Sequence, residues 1–241
     1  MAKINGLGVR CFVGTSSTAY DLSGDTNAIT GIGSSQELLN VTTLEKSAMQ
    51  RLAGVRDTSM SLAGWFDSAT SHNPFSPSGA LPTADQNVTL TTGTSRGDVA
   101  IAGAAKQANY EVDRQPNNAL ATSVDYEASD GYPFEWGVLL SDGPAQTDSS
   151  ATNSTAVDNS AASTSGAYGI LTLLSLGSGT VNIVVQTSSD NVTFADYLTF
   201  TAATGATSEI IRSSSSCARY ARLKTSGTFA DAKMVMVLAR L

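Results

Sequence analysis

Val41–Asp67 reads VTTLEKSAMQRLAGVRDTSMSLAGWFD, and how it folds decides how the rest of the chain is organised. Thr42-Thr43-Leu44-Glu45 fits a capping box, in which the Thr42 hydroxyl accepts from an unpaired helix amide and Glu45 reaches back to the cap amide. Leu44, Ala48, Leu52 and Val55 recur at helical spacing, which predicts a short helix near 43–53 with Gly54 as its stop. After Arg56-Asp57 the period changes to two. Met60, Leu62 and Phe66 share one face, while Ser59, Ser61 and Trp65 share the other, so a strand follows. No other stretch reads convincingly as a helix. The expected class is all-β: a β-sandwich or barrel with one short helix.

Outward from this stretch the chain alternates between short strands and loops. Val9–Val13 is a short apolar run and an expected strand, and Thr15–Ser35, rich in Gly, Ser, Thr and Asp, reads as a long loop. Ser68–Asp85 carries Pro74, Pro77 and Pro82, a spacing that argues against a helix or a central strand. Strands are then expected at Asn87–Thr92, Asp98–Ala102, Ala105–Val112, Ala119–Ala128 and Tyr132–Leu140.

Ser141–Gly166 changes character. Val157 is its one large apolar residue, and the stretch reads as a flexible linker. The β pattern resumes at Ala167–Leu176, Thr180–Thr187, Val192–Phe200, Glu209–Arg212, Ala218–Thr225 and Lys233–Arg240, with a hairpin turn at Ser188–Asn191. The expected organisation is therefore a β domain over 1–142, a Ser/Thr/Ala-rich linker over 143–166, and a small C-terminal β-sandwich over 167–241.

Composition narrows the function classes. Charged residues make up 15% of the chain, well under the usual quarter, and small hydroxylated residues fill the gap. That profile suits a β protein whose surface is covered by neighbours. The net charge is −7 and no Lys/Arg run occurs, so the main electrostatic term for gripping nucleic acid is missing. Cys11 and Cys217 are too few for a disulfide framework and read as free thiols. MAKINGLGVRCFVG holds no signal-like apolar core, and no run approaches the ~18 apolar residues of a membrane span. Synthesis in a cytoplasm is the expectation.

The chemistry-bearing residues are sparse. A Ser–His–Asp or Cys–His mechanism would have to run through His72, the one histidine, which sits in a loop without a G-x-S-x-G nearby. Asp125, Glu127 and Glu135 could be offered as an acid/base pair, but alternation places Asp125 and Glu127 together on an outward face. Arg96-Gly97-Asp98 is an RGD tripeptide between two strands, and the Asn-x-Ser/Thr sites at Asn40, Asn87, Asn153 and Asn191 fit a chain rich in Ser and Thr. No catalytic, cofactor-binding or metal-ligating set is assigned. Trp65, Phe66, Phe134 and Trp136 could form a sugar-stacking platform or pack in the core. At most one of each pair is expected to face the core, which makes Trp65 and Trp136 candidate interface aromatics.

Residues 1–142 resemble the major tail (tail tube) proteins of long-tailed, siphovirus-like bacteriophages. The likeness is carried by Tyr20–Asp25 (YDLSGD), by the T..E.SAM.R..G.RD…S..G.FD line of Val41–Asp67, by Ala69-Thr70-Ser71-His72 after it, by Gly97-Asp98 through Ala105–Tyr110, and by the aromatic strand Gly131–Gly137. Val181–Arg222 resembles the β-sandwich additions of phage tail and capsid proteins and echoes a galactose-binding jelly roll. The resemblance implies a virion structural protein without enzyme activity, made in the host bacterial cytoplasm. It implies stacked hexameric rings forming a tube for DNA ejection, with tape-measure, tail-terminator and distal tail proteins as further partners. DNA would pass without specific binding, and no cofactor or membrane is implied.

Within that expectation the loops Thr15–Gln36 and Ser68–Asp85 are candidates for ring-to-ring contact, with Phe75, Pro77 and Pro82 as the contact residues of the second. The C-terminal part would decorate the exterior and could touch host-surface glycans weakly, through many copies. The competing reading is a carbohydrate-binding or capsid-decorating phage surface protein.

Overall fold

The computed structural model describes residues 8–116 and 119–241. The first seven residues of the stretch read for a signal sequence lie outside them. Among the described residues the first half of the chain forms β1 (Arg10–Thr15), β2 (Thr18–Asp21), β3 (Thr26–Asn40), β4 (Arg51–Trp65), one helical turn α1 (His72–Phe75), β5 (Gln86–Thr91), β6 (Val99–Arg114), β7 (Leu120–Ala128) and β8 (Glu135–Leu139). The second half adds β9 (Gln146–Asp148), β10 (Val157–Asp158), β11 (Ala167–Ser175), β12 (Ser178–Ser188), β13 (Ala195–Thr199), β14 (Thr207–Ser213), β15 (Tyr220–Ala230) and β16 (Ala232–Arg240). The protein is all-β, as its alternating runs predict.

The helix expected near 43–53 does not form. Residues 41–50 are the open tip of a hairpin between β3 and β4, whose register runs from Thr26↔Gly64 to Asn40↔Arg51. The reason is tertiary. An isolated helix of this length is marginal in water and needs a core to pack on, and no core lies near. The period-two pattern of β4 instead continues outward along β3. Thr42 serves the hairpin: its hydroxyl accepts from the Gln50 amide at 2.8 Å and donates to Asn40 Oδ1 at 2.7 Å. Most of Thr15–Ser35 is likewise strand rather than loop, since β2 and the start of β3 occupy it.

The strands stack in four layers with three cores between them. Met60, Leu62, Val124 and Tyr126 from β4 and β7 close over Cys11, Val13, Val88, Leu90 and Ile101 from β1, β5 and β6. The opposite faces of β1 and β6, through Phe12, Ala100 and Ala102, pack on Tyr168, Ile170, Val235 and Val237 of β11 and β16. The remaining faces of β11 and β16, with Leu171, Leu173, Met234 and Met236, pack on Val181, Ile183, Val185 and Leu223 of β12 and β15. Odd and even residues of β16 thus enter different cores, which is why β11 and β16 read as unbroken apolar runs.

A twelve-stranded sheet supplies three of the layers by folding at β6, where β7 branches off, and again where β8 meets β16, and β10–β15–β12–β13 form the fourth. The expected boundary between 142 and 167 is crossed by this sheet, because β16 pairs with β8 through Val237↔Leu139 and Leu238↔Val138. Gly137 sits at that seam, and a Cβ there would collide with the Leu238 carbonyl oxygen. Gly137→Ala is expected to cost about 1–3 kcal/mol by overpacking, measured as a lower denaturant midpoint with an unchanged slope.

The stretch expected to be a flexible linker is ordered by backbone pairing. β9 pairs with β16, β10 pairs with β15, and between them Thr152 and Ser154 donate to the carbonyls of Thr225 and Leu223. Strand edges on β15 and β16 supply the partners, so few apolar side chains are needed.

The Pro-rich stretch 68–85 also departs from expectation, since Pro74 lies inside the turn α1, where its fixed φ is tolerated. Buried amides pin this turn: Gln86 Nε2 donates to the Pro74 carbonyl at 2.7 Å and Gln107 Nε2 to that of Phe75 at 2.9 Å. Asp98–Ala102 and Ala105–Val112 are one strand, β6, with an irregularity between Gln107 and Asn109.

Candidate assembly surface

The β3–β4 hairpin outruns the sheet that holds it. β4 pairs with β7 from Ser59 to Trp65, whereas beyond Ser59 towards the tip its partner among the described residues is β3 alone. The root of this arm is tied down by an ion pair between Arg56 and Glu135. Past that point the arm carries large apolar side chains into solvent: Leu38, Leu39, Val41, Leu44, Met49, Leu52 and Val55 are all exposed, with Leu44 at 106% and Val55 at 81%. Together they present on the order of 700 Å² of apolar surface, spread over both faces of the ribbon because successive residues such as Leu38 and Leu39 point opposite ways. The outer edge of β3 has no strand beside it among the described residues. Sequence reasoning marked Leu44, Ala48, Leu52 and Val55 as a helix face. Their true signal was that apolar side chains at 44, 49, 52 and 55 had no matching element to cover them.

A second face is polar and acidic. Across β4, β7 and β6 the paired rows Ser59–Glu127–Lys106, Ser61–Asp125–Asn109 and Ala63–Ser123–Glu111 point away from the core that Met60, Leu62 and Val124 enter. Ser61 Oγ donates to Asp125 Oδ1 at 2.5 Å. Lys106 is drawn aside to Asp85, 3.0 Å away, and its charge helps to hold that carboxyl below the usual carboxylate range despite desolvation. Small side chains and carboxylates dominate what remains.

The sequence-derived candidates fall in different places. Trp65 is 42% exposed at the end of β4, and Trp136 is 56% exposed at an apolar cleft. Phe134 is buried. Phe75 is 4% exposed and belongs to the first core, so it cannot serve as a contact residue from its present position. Pro77 is exposed, Pro82 is half-buried, and Leu81 between them is exposed. His72 lies between the rings of Phe66 and Tyr110, with Nδ1 2.9 Å from the Tyr110 hydroxyl, and anchors the Pro-rich stretch to β6.

The RGD tripeptide is folded in on itself, because the Arg96 guanidinium donates to the Leu140 carbonyl and to Gln146 Oε1. On the outermost sheet the Arg222 guanidinium lies 3.9 Å over the Phe194 ring centroid, covering the aromatic face a sugar would stack on. Cys11 and Cys217 are buried free thiols in separate cores, and burial pushes the Cys11 thiol up to about 12. Among the described residues no group of three or more His, Cys, Asp or Glu side chains gathers to hold a metal ion, and no helix is long and apolar enough to cross a membrane.

No protein-family profile and no curated protein matches the chain. Among solved structures, it is similar to a chain from the virion of a native gene transfer agent particle, at 17% identity over 55% of this chain and 98% of that one, with a TM-score of 0.41. It is similar to a chain of the sheath–tube complex of an extracellular contractile injection system in its extended state, at 14% identity over 53% of this chain and 88% of that one, with a TM-score of 0.42. A chain of the phage p2 baseplate in its activated conformation is similar over 97% of this chain and 98% of that one, at 8% identity and a TM-score of 0.38. Likenesses this distant leave the chain's activity to be decided by its own surfaces.

Proposed function

We propose that this chain is a structural subunit of a phage-type tail that associates with copies of itself into stacked rings forming a tube. The single observation that carries the reading is the projecting β3–β4 arm, whose apolar side chains and open strand edge are left uncovered by the other described residues. A free-standing protein with such an arm is an aggregation hazard; a subunit buries it against a neighbour. The resemblance of residues 1–142 to tail tube proteins supports the same reading, as does the low fraction of charged residues.

In this reading the acidic β4–β7–β6 face lines the channel. Asp125, Glu127 and Glu111 there repel phosphate, so DNA slides past without adhering. Ring-to-ring contact falls to the exposed part of the Pro-rich loop, Pro77 to Leu81, with Pro82 behind it and Phe75 holding its root. The layer β10–β15–β12–β13 faces outward. Its partners are further copies and the proteins that fill and close such tubes.

Negative-stain microscopy of the purified full chain tests this. Rings and tubes with a central channel are expected. Single-chain particles at every concentration, with the arm exposed and the solution clear, would overturn the proposal.

A further inference from the structure

We propose that the apolar cleft beside Trp136 is the socket for the arm tip of a second copy of this chain, an inference that rests on the assembly reading above and names its contact. The cleft is about 350 Å³ and is lined by Cys11, Ile29, Ile32, Leu90, Ile101 and Trp136 together with small neutral residues. Among the described residues no charged side chain lines it. The register Ile101↔Trp136 sets these two on one face, so the buried Ile101 forms floor while the exposed indole forms rim.

Three arguments choose the occupant. The first is reach. Ile32 at the rim belongs to the arm's own β3, and Val41 lies nine residues further along the paired strand, which places the tip roughly 30 Å away at about 3.3 Å per residue. A paired, extended arm cannot fold back into a cleft at its own root. The second is chemistry. A neutral, apolar cleft of this size takes two or three aliphatic side chains and disfavours a charged ligand. The tip offers Leu44 and Met49, both exposed. The third is area. The arm's uncovered surface, on the order of 700 Å², comes near the ~800 Å² that each partner gives to a stable interface, so a second copy is enough to cover it.

Arm and socket are different surfaces of one molecule. Their contact is therefore heterologous, and each subunit that receives an arm offers its own to the next, which is how rings or filaments grow. Glu45 and Lys46 flank Leu44 and stay at the solvated rim.

Mixed cross-linking tests the contact. Full chains carrying Leu44→Cys and full chains carrying Asn27→Cys, an exposed position on the cleft wall, are combined and oxidised with copper phenanthroline. Both chains also carry Cys11→Ser, because Cys11 lines the cleft where the Leu44→Cys thiol would arrive, while Cys217 is buried in another core and contributes little background. The mixed disulfide is expected to exceed either like pair at least tenfold, and a chain with both substitutions is expected to give a ladder of covalent multimers. Like pairs in the majority, or a mixed yield no higher than with Asn191→Cys in place of Asn27→Cys, overturns the socket. Tubes that form without the mixed cross-link overturn the socket and leave the assembly reading standing. No tubes and no cross-link overturn both.

Discussion

Ending the chain at Asp142 is expected to destroy the fold of what remains rather than release a trimmed, working subunit. The cut removes β11 and β16, which cover Phe12, Ala100, Ala102 and Leu139, all at most 2% exposed in the full chain. It also strips Leu140, fully buried in the core between the third and fourth layers. Uncovering these side chains costs on the order of 7 kcal/mol at the usual value for buried aliphatic and aromatic groups, against a total stability of about 5–15 kcal/mol for an ordinary domain.

β8 loses one of its two strand partners at the same time and keeps β6, because β16 supplies the backbone pairing on its other edge at Val138 and Leu139. The truncated chain should be insoluble, or soluble without a cooperative denaturation transition by circular dichroism. A soluble fragment with a sharp transition, forming tubes at the same concentration as the full chain, would show that residues 143–241 are an appendage. The reciprocal piece is expected to fare no better, since its β11–β16 face would present Tyr168, Ile170, Val235 and Val237 to water.

How much of this was legible from the residues alone depends on where side chains, rather than backbone, decide the structure. The alternation of Met60 and Leu62 against Ser59 and Ser61 states the two faces of β4 directly, and the structure keeps them. β11 and β16 were visible as apolar runs, although a run buried on both faces does not say which layers it joins. The arm was misread because Leu44, Ala48, Leu52 and Val55 satisfy a helical period without a core to face, and an apolar residue awaiting a partner subunit looks the same as one awaiting a core. β3 was missed for a related reason. Gly33, Ser34 and Ser35 have weak strand preference and are held by pairing with β4, while Gly31 falls in the irregularity between Thr30 and Gly33.

Residues 143–166 show the limit most plainly. Their side chains announce a linker, while their amides and carbonyls fill the open edges of β15 and β16, and backbone pairing leaves almost no trace in composition. Of the candidate contact residues, Trp136 lies exposed, whereas Phe75 is buried. A phenylalanine in a Pro-rich loop gives no sign that Gln86 and Gln107 will draw that loop down onto the core.

Replacing apolar side chains along the arm together, as Leu44→Ser, Met49→Ser and Val55→Ser, is expected to abolish assembly while leaving the folded subunit intact. All three are exposed in the single chain, Val55 at 81% and Met49 at 63%, and exposed substitutions of this kind move subunit stability by no more than about 0.5 kcal/mol each. The same side chains buried in a neighbour are worth about 1–2 kcal/mol apiece, within the range for partial burial. Their joint loss raises the concentration needed for assembly by roughly 10²- to 10⁴-fold, at tenfold per 1.4 kcal/mol.

Sedimentation across a concentration series measures that threshold, and a denaturation curve on the same samples checks the fold. Because the contribution is apolar, the wild-type threshold should change little with salt. If instead the triple variant assembles at the wild-type concentration, the arm is not a contact. If assembly is lost only together with the denaturation midpoint, the arm supports the subunit's own fold. The combination of an unchanged midpoint and a threshold at least a hundredfold higher is what an arm built for another copy requires, because a side chain that stabilises nothing in its own molecule can then owe its place only to a neighbour.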